Sequence, residues 1–233
     1  MEQTLRVTNV LSDPTRYHIY QYLIEKHKEV NVTEIAKKFE IHPNVARLHL
    51  SKLEDVNMII SYSQKTGKGG RPSRLYRLSD NVIELNFPHR DYKLLSTIVL
   101  ESLMDMGQAG KEALYKTGKK YGKEIVKNYY HGNIELLNLT EKINILEDAS
   151  AMLGLYSNFH YNEVENTIHF DVNNCPFKEI ASTNHEMICD MHHSFIKGMF
   201  ETLFMDIELI TEENMFEHNC ENCSYKVNLL VNN

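Results

Sequence analysis

No cysteine precedes residue 175 in this 233-residue chain; four then follow, at Cys175, Cys189, Cys220 and Cys223. Long apolar runs are also missing. Nothing approaches the roughly 18 consecutive apolar residues of a membrane-crossing helix, so no span is expected. The opening residues, MEQTLRVTNVLSDPTRY, lack a basic stretch followed by an apolar one, which argues against a secretory signal. The expected location is therefore cytoplasmic, where thiols serve as ligands or redox sensors more often than as disulfides. Catalytic signatures are absent too: there is no phosphate-binding glycine loop, no Gly-x-Ser-x-Gly and no His-Glu-x-x-His. No enzyme is expected.

What is present divides in two. Hydrophobic residues make up 42% of the chain, enough for real cores. The net charge of -7 is uneven: residues 1–86 hold 13 Lys/Arg against 10 Asp/Glu, and the remainder holds 12 against 22. Only the first part is suited to approach phosphates. The expected organisation is a DNA-binding domain over residues 1–86 and an α+β dimerisation and sensor domain over 87–233.

In the first part, Tyr17, Ile19, Tyr20, Leu23 and Ile24 recur at helical spacing behind Asp13 as N-cap and Pro14 at the first helical position. Thr33 is the expected cap of a short second helix. Pro43 opens a third, PNVARLHLSKLEDVN, with Val45, Ala46, Leu48, Leu50 and Leu53 expected inward. Strands around Ile60–Tyr62 and Leu75–Leu78 flank the loop SQKTGKGGRPSR. Helix, helix-turn-helix and basic hairpin in this order predict a winged helix-turn-helix domain, although a three-helix protein-binding module shares the core pattern.

The first turns of a recognition helix meet base edges, which makes His42, Asn44, Arg47 and His49 candidate readers, with Lys52 behind them. Lys65, Lys68, Arg71 and Arg74 in the wing are candidate phosphate contacts that orient rather than specify. A single winged helix seldom secures a specific site, so a homodimer on palindromic double-stranded operator DNA is expected. The stripe Leu94, Leu95, Ile98, Val99, Ser102, Leu103 is a candidate dimer seam or packs within its own chain.

The second part reads as helices over about 92–106, 111–130 and 140–153, the last capped by Thr140. A hairpin over 156–172, a helix over 186–204 and strands at 207–210 and 225–231 complete it. Cys220-x2-Cys223 has metal-ligand spacing, and four thiolates suit zinc or an iron–sulfur cluster. Cys189 lies in the apolar pattern of Met187, Ile188 and Met191, where a buried packing role competes. His218, two residues before Cys220, is the best non-cysteine ligand candidate. His192 and His193 cannot both serve one site from one helix.

Two stretches carry a resemblance. IHPNVARLHLSKLEDVNMI followed by GKGGRPSRLYRLS resembles the winged-helix regulators related to the ArsR and DeoR types. NNCPFKEIA, MICDMHHSFIKGMFETL and CENCSYKV resemble the SufR family, iron–sulfur-cluster-binding repressors of the Suf operon. The likeness spans both ends, while residues 90–155 match only in helical character. It implies that a Cys-Pro-aromatic loop, a helix-start cysteine and a Cys-x-Tyr supply thiolate ligands. These carry over to Cys175, Cys189 and Cys223, on a [4Fe-4S] or [2Fe-2S] cluster. Cys220 has no clear counterpart: it is a fourth ligand, a spare thiol or a substitute that moves the site toward zinc. The implied activity is repression of cluster-assembly genes, relieved when the cluster is lost. The competing readings are a zinc- or other metal-responsive repressor, and a small-ligand-sensing repressor with a structural zinc.

Overall fold

Asp13 starts the first predicted helix as expected: its carboxylate accepts the Arg16 backbone N–H at 3.0 Å, and α2 runs from Pro14 to Lys26. A further helix, α1 (Glu2–Leu11), precedes it and buries Val7 and Val10. The computed structural model describes residues 2–26, 28–64, 72–80, 82, 83, 85, 88, 90–217, 220 and 222–230. The chain is α+β and splits into two compact units, Met1–Arg90 and Asp91–Asn233.

In the first unit the two-residue strand β1 (Val30–Asn31) leads directly into α3 (Val32–Lys38). Asn31, not Thr33, caps α3, and its side chain accepts the Glu34 N–H at 3.0 Å. The cap lies earlier than expected because Val30 and Asn31 are held by pairing with Tyr76 and Leu75. Helix α4 (Pro43–Glu54) begins at the predicted proline. Strands β2 (Ile59–Gln64) and β3 (Ser73–Leu78) form the expected antiparallel hairpin, giving a three-stranded sheet in the order β1-β3-β2. Ile19, Leu23, Ile35, Ala46, Leu50, Leu53 and Tyr76 fill its core.

In the second unit, α5 (Tyr92–Asp105) and α6 (Gln108–Tyr129) are separated by a left-handed Gly107 with φ of 59°. Helix α7 (Leu139–Met152) is capped by Asn138 rather than Thr140, because Glu141 completes a reciprocal capping box with it. Strands β4 (Asn158–Asn162) and β5 (Thr167–Val172) form the predicted hairpin. The short α8 (Lys178–Ala181) and the long α9 (His185–Leu203) follow, then β6 (Ile207–Glu213) and β7 (Cys223–Leu229). The antiparallel sheet has the order β4-β5-β7-β6. Its inward residues Ile168, Phe170, Tyr225 and Val227 pack against Leu146 of α7 and Phe200 of α9.

Helices α6 and α9 meet backbone to backbone. A Cβ on Gly122 would stand 1.9 Å from the Phe195 carbonyl oxygen, and one on Gly198 would stand 2.2 Å from that of Lys119. At Gly118 the neighbours are the Met191 carbonyl and the Ser194 hydroxyl, both at 2.7 Å. Ser194 in turn donates to the Tyr115 carbonyl at 2.8 Å. Lys119 and Lys123 close the contact on Glu201 at 2.7 and 3.0 Å.

A methyl group at Gly122 must therefore push two helix backbones apart. Gly122→Ala is expected to destabilise the second unit by about 3 kcal/mol, at the upper end of ordinary overpacking. Urea denaturation of the intact chain checks this, and an unchanged midpoint would contradict the close crossing.

Candidate functional site

The outer face of α4 starts at His42. This residue is the helix N-cap, and its Nδ1 accepts the Asn44 N–H at 3.2 Å. Asn44 and Arg47 are exposed one turn apart, and the Arg47 guanidinium donates to Asn44 Oδ1 at 3.4 Å. Lys52 is exposed two turns from the start, 3.6 Å from Asp55. These four polar side chains share the solvent side of the helix, where base edges and phosphates can be met.

His49 corrects the expectation. The buried positions of α4 are Ala46, His49, Leu50 and Leu53, the i, i+3, i+4, i+7 spacing of one helical face. His49 is 7% exposed and faces Asp13 and Arg16 at the start of α2, so it cannot reach a base edge. Its Nδ1 is 4.0 Å from Asp13 and has no hydrogen-bond partner. Val45 and Leu48, expected inward, are exposed instead. The helical phase, rather than polarity, decides all three.

Arg74 is also engaged differently. One guanidinium nitrogen lies 3.0 and 2.8 Å from the two Glu54 carboxylate oxygens, and Nε donates to Ser61 Oγ at 2.7 Å. Ser61 in turn donates to Glu54 at 2.6 Å. The group also lies over the Tyr76 ring, 5.5 Å from its centroid. Arg74 thus ties the hairpin to the end of α4 and is no free phosphate contact. Lys65, Lys68 and Arg71 lie outside the described residues, as does His218.

In the second unit, sheet register brings distant thiols together. Val172 is paired with Cys223 across β5 and β7, and Cys175 follows Val172 by three residues. The turn is fixed by Asn173, whose amide donates to the Tyr156 carbonyl at 2.6 Å, and by Asn174, which donates to that of Gly154 at 2.7 Å. Cys223 accepts the Met215 N–H at 3.3 Å and lies 3.9 Å from Asn214 Oδ1. Asn214 also hydrogen-bonds Cys189, in the second turn of α9. One turn further, His192 Nδ1 stands 3.7 Å from Cys175 Sγ.

Burial governs the chemistry of these groups. It pushes the Cys175 thiol up to about 12, with the Cys223 and Cys189 thiols adding like-charge opposition. Cys189, Cys220 and Cys223 are raised too, desolvation first in each case. His192, with Nε2 unpartnered, is held neutral by burial, its pKa lowered to about 4. His193 turns elsewhere, to the Leu209 carbonyl at 3.2 Å. The Tyr225 hydroxyl, beneath the thiols, is pushed up by burial and by Cys223, Cys175 and Cys189. Cys175 and Cys223 are buried, while Cys189 and Cys220 are half-buried.

Three soft donors from three segments thus share one end of the sheet, the donor chemistry that zinc or an iron–sulfur cluster takes. Among the described residues, however, no three His, Cys, Asp or Glu side chains stand in ready coordination geometry. The sequence pattern indicated the cysteines and the histidine pair. It did not indicate Asn214, which links Cys189 and Cys223 through the β6 end.

A family of helix-turn-helix domains matches residues 11–61, which run from the end of α1 through the first half of β2. No curated protein matches the chain significantly. The first unit is a DNA-binding domain. The chain is accordingly a DNA-binding transcriptional regulator that meets double-stranded DNA through this unit. No helix among the described residues is long and apolar enough to cross a membrane.

Burial lowers the His49 pKa below its ordinary 6.5, against the pull of Asp13. The unfolded chain therefore takes up this proton first, so the stabilising difference is full above 6.5 and is lost as pH falls through the lowered folded value. His49→Leu is expected to make stability fall less steeply below pH 6.5, read as urea midpoints across a pH series. An identical slope in both proteins would refute a neutral buried His49.

Proposed function

We propose that this regulator is a repressor of iron–sulfur cluster assembly genes whose operator affinity depends on an iron–sulfur cluster held through Cys175, Cys189 and Cys223. The observation that carries the reading is the convergence of these three thiols, from a loop, a helix and a strand, at one end of the sheet. Cys220, on the loop ahead of β7, is the nearest further thiol, and its influence is felt at Cys223. When bound, the group would supply a tie between three chain segments that iron limitation or oxidation can undo. The raised thiol pKa values mean that binding displaces protons.

The chain's own packing supplies a route from these segments to α5. A small satellite core unites Leu100 of α5, Ala181 and Ile188, with Phe177, Ile180 and Phe216 packed against it. Phe177 lies two residues after Cys175, and Phe216 follows the Met215 whose N–H meets Cys223. Repositioning either thiol segment would therefore move an aromatic ring in the cluster that holds Leu100 of α5. On the other side of that helix Leu94, Leu95, Ile98 and Val99 are each about half exposed, so packing within the chain leaves them uncovered. A second copy covers this stripe in the proposed homodimer and sets the spacing of two reading helices on a palindromic operator.

Purification without oxygen, followed by iron and sulfide analysis and a visible spectrum, tests the cofactor. A coloured protein with iron and sulfide in equal amounts is expected. A colourless protein carrying zinc would replace the cluster with a metal-responsive reading. Cys175→Ser and Cys189→Ser should each leave a folded dimer and weaken operator binding about tenfold, within the usual range of coupling between sites. Phe216→Ala should keep the spectrum while making operator affinity indifferent to cluster loss. Unchanged operator binding in both serine variants would overturn the proposal.

A further inference from the structure

Four side chains complete the packing of α4 against its own unit: Ala46, His49, Leu50 and Leu53. Val45 and Leu48 take no part in it and are 40% and 55% exposed. They stand one turn apart, at the i and i+3 spacing that makes neighbours on a helix surface. Asn44 and Arg47 flank them, with His42 and Lys52 at the two ends of the patch. From His42 to Lys52 the helix contains no carboxylate. An apolar patch ringed by amide, imidazole and cationic groups, with Asp55 beside Lys52 at its far end, is complementary to a polyanion that carries apolar features of its own.

Duplex DNA offers one such feature in its major groove, the thymine C5-methyl group. We propose that Val45 and Leu48 are specificity-determining residues that pack against thymine methyls beside the base edges met by Asn44 and Arg47. The inference rests on α4 being the helix that enters the groove. Side chains one helical turn apart are about 5–6 Å from each other at Cβ, which spans one to two base steps at about 3.4 Å per step. Adjacent or next-adjacent thymines in each half-site are therefore the features read. The β-branched Val45 has little rotamer freedom to lose on contact. Asn44 and Arg47 supply the directional hydrogen bonds, and the apolar pair adds discrimination between thymine and cytosine, whose edge has no methyl.

The test begins with a duplex selected by the intact protein from a random pool. Each thymine is then replaced in turn by deoxyuridine, which removes the methyl and leaves base pairing and hydrogen-bonding edges intact. Binding is expected to weaken about fourfold at one or two positions per half-site, the worth of one buried methyl-sized group. At those positions the loss should vanish in Val45→Ala or Leu48→Ala, whichever residue covers the methyl. Both residues are exposed, so both variants should melt as the parent does.

If no replacement matters, or if the loss persists in both variants, the proposal is overturned while DNA binding stands. Dissociation of a dimer by Leu48→Ala, measured by sedimentation, would assign the patch to a protein seam and overturn it equally. Failure to select any duplex would overturn the DNA reading of α4 itself, and this inference with it.

Discussion

The backbone contact between α6 and α9 fixes where the chemistry of the second unit can stand. Gly118, Gly122 and Gly198 remove the side chains that would otherwise hold two helices 8–10 Å apart. Helix α9 is thereby pinned along its length from one side, while Met199, Phe200 and Leu203 press it onto the sheet from the other. Its first turns have little room to shift, so Cys189 and His192 are presented at a set height over the sheet end. Cys175 and Cys223 meet them there because β5 and β7 are in register. The packing of small residues far from the thiols thus determines how the thiols are placed.

The thiols themselves are in tension with that placement. Burial favours the neutral form of each, and each thiolate would oppose its neighbours. In the absence of a cation the group is best described as three packed, protonated side chains with hydrogen bonds to Asn214 and to the Met215 backbone. A bound positive charge would add an attraction to each thiolate that opposes both the burial penalty and the mutual repulsion. Neutral His192 beside Cys175 adds no charge of its own.

Much of this was legible in the sequence, in proportion to how local the cause was. Pro14 and Pro43 mark helix starts at the residues where α2 and α4 begin, because a fixed φ and a missing N–H are properties of one residue. Caps were less legible. Thr33 and Thr140 suit the role chemically, but Asn31 is held by β1 pairing and Asn138 has Glu141 at the reciprocal position. On α4, sorting by polarity placed Val45 and Leu48 inside and His49 outside, the reverse of what the helical phase gives. The four cysteines were visible as a set, whereas their convergence depends on strand register and on the Asn214 turn, which no local spacing encodes. The wing cations Lys65, Lys68 and Arg71 stay an expectation from sequence alone, and Arg74 shows that a basic wing residue can serve the fold instead.

The size of the satellite core decides whether the proposed control is physically reasonable. Among the described residues the buried members there are Leu100, Ala181 and Ile188, against seventeen in the main core of the same unit. Rearranging the main core would cost far more than a signal can supply. Fully exposing a buried aromatic ring costs about 1.5–3 kcal/mol, and Phe216, already half-buried, would give up part of that. That matches the roughly 1–3 kcal/mol by which two sites in a regulatory protein are commonly coupled. The thiol segments therefore adjoin the smaller of the two apolar clusters described in this unit, the one cheaper to rearrange. Leu100 places that cluster against the helix whose opposite face, Leu94 to Val99, is uncovered. In the proposed control, a change of packing at Leu100 would pass through that one helix to the candidate dimer seam.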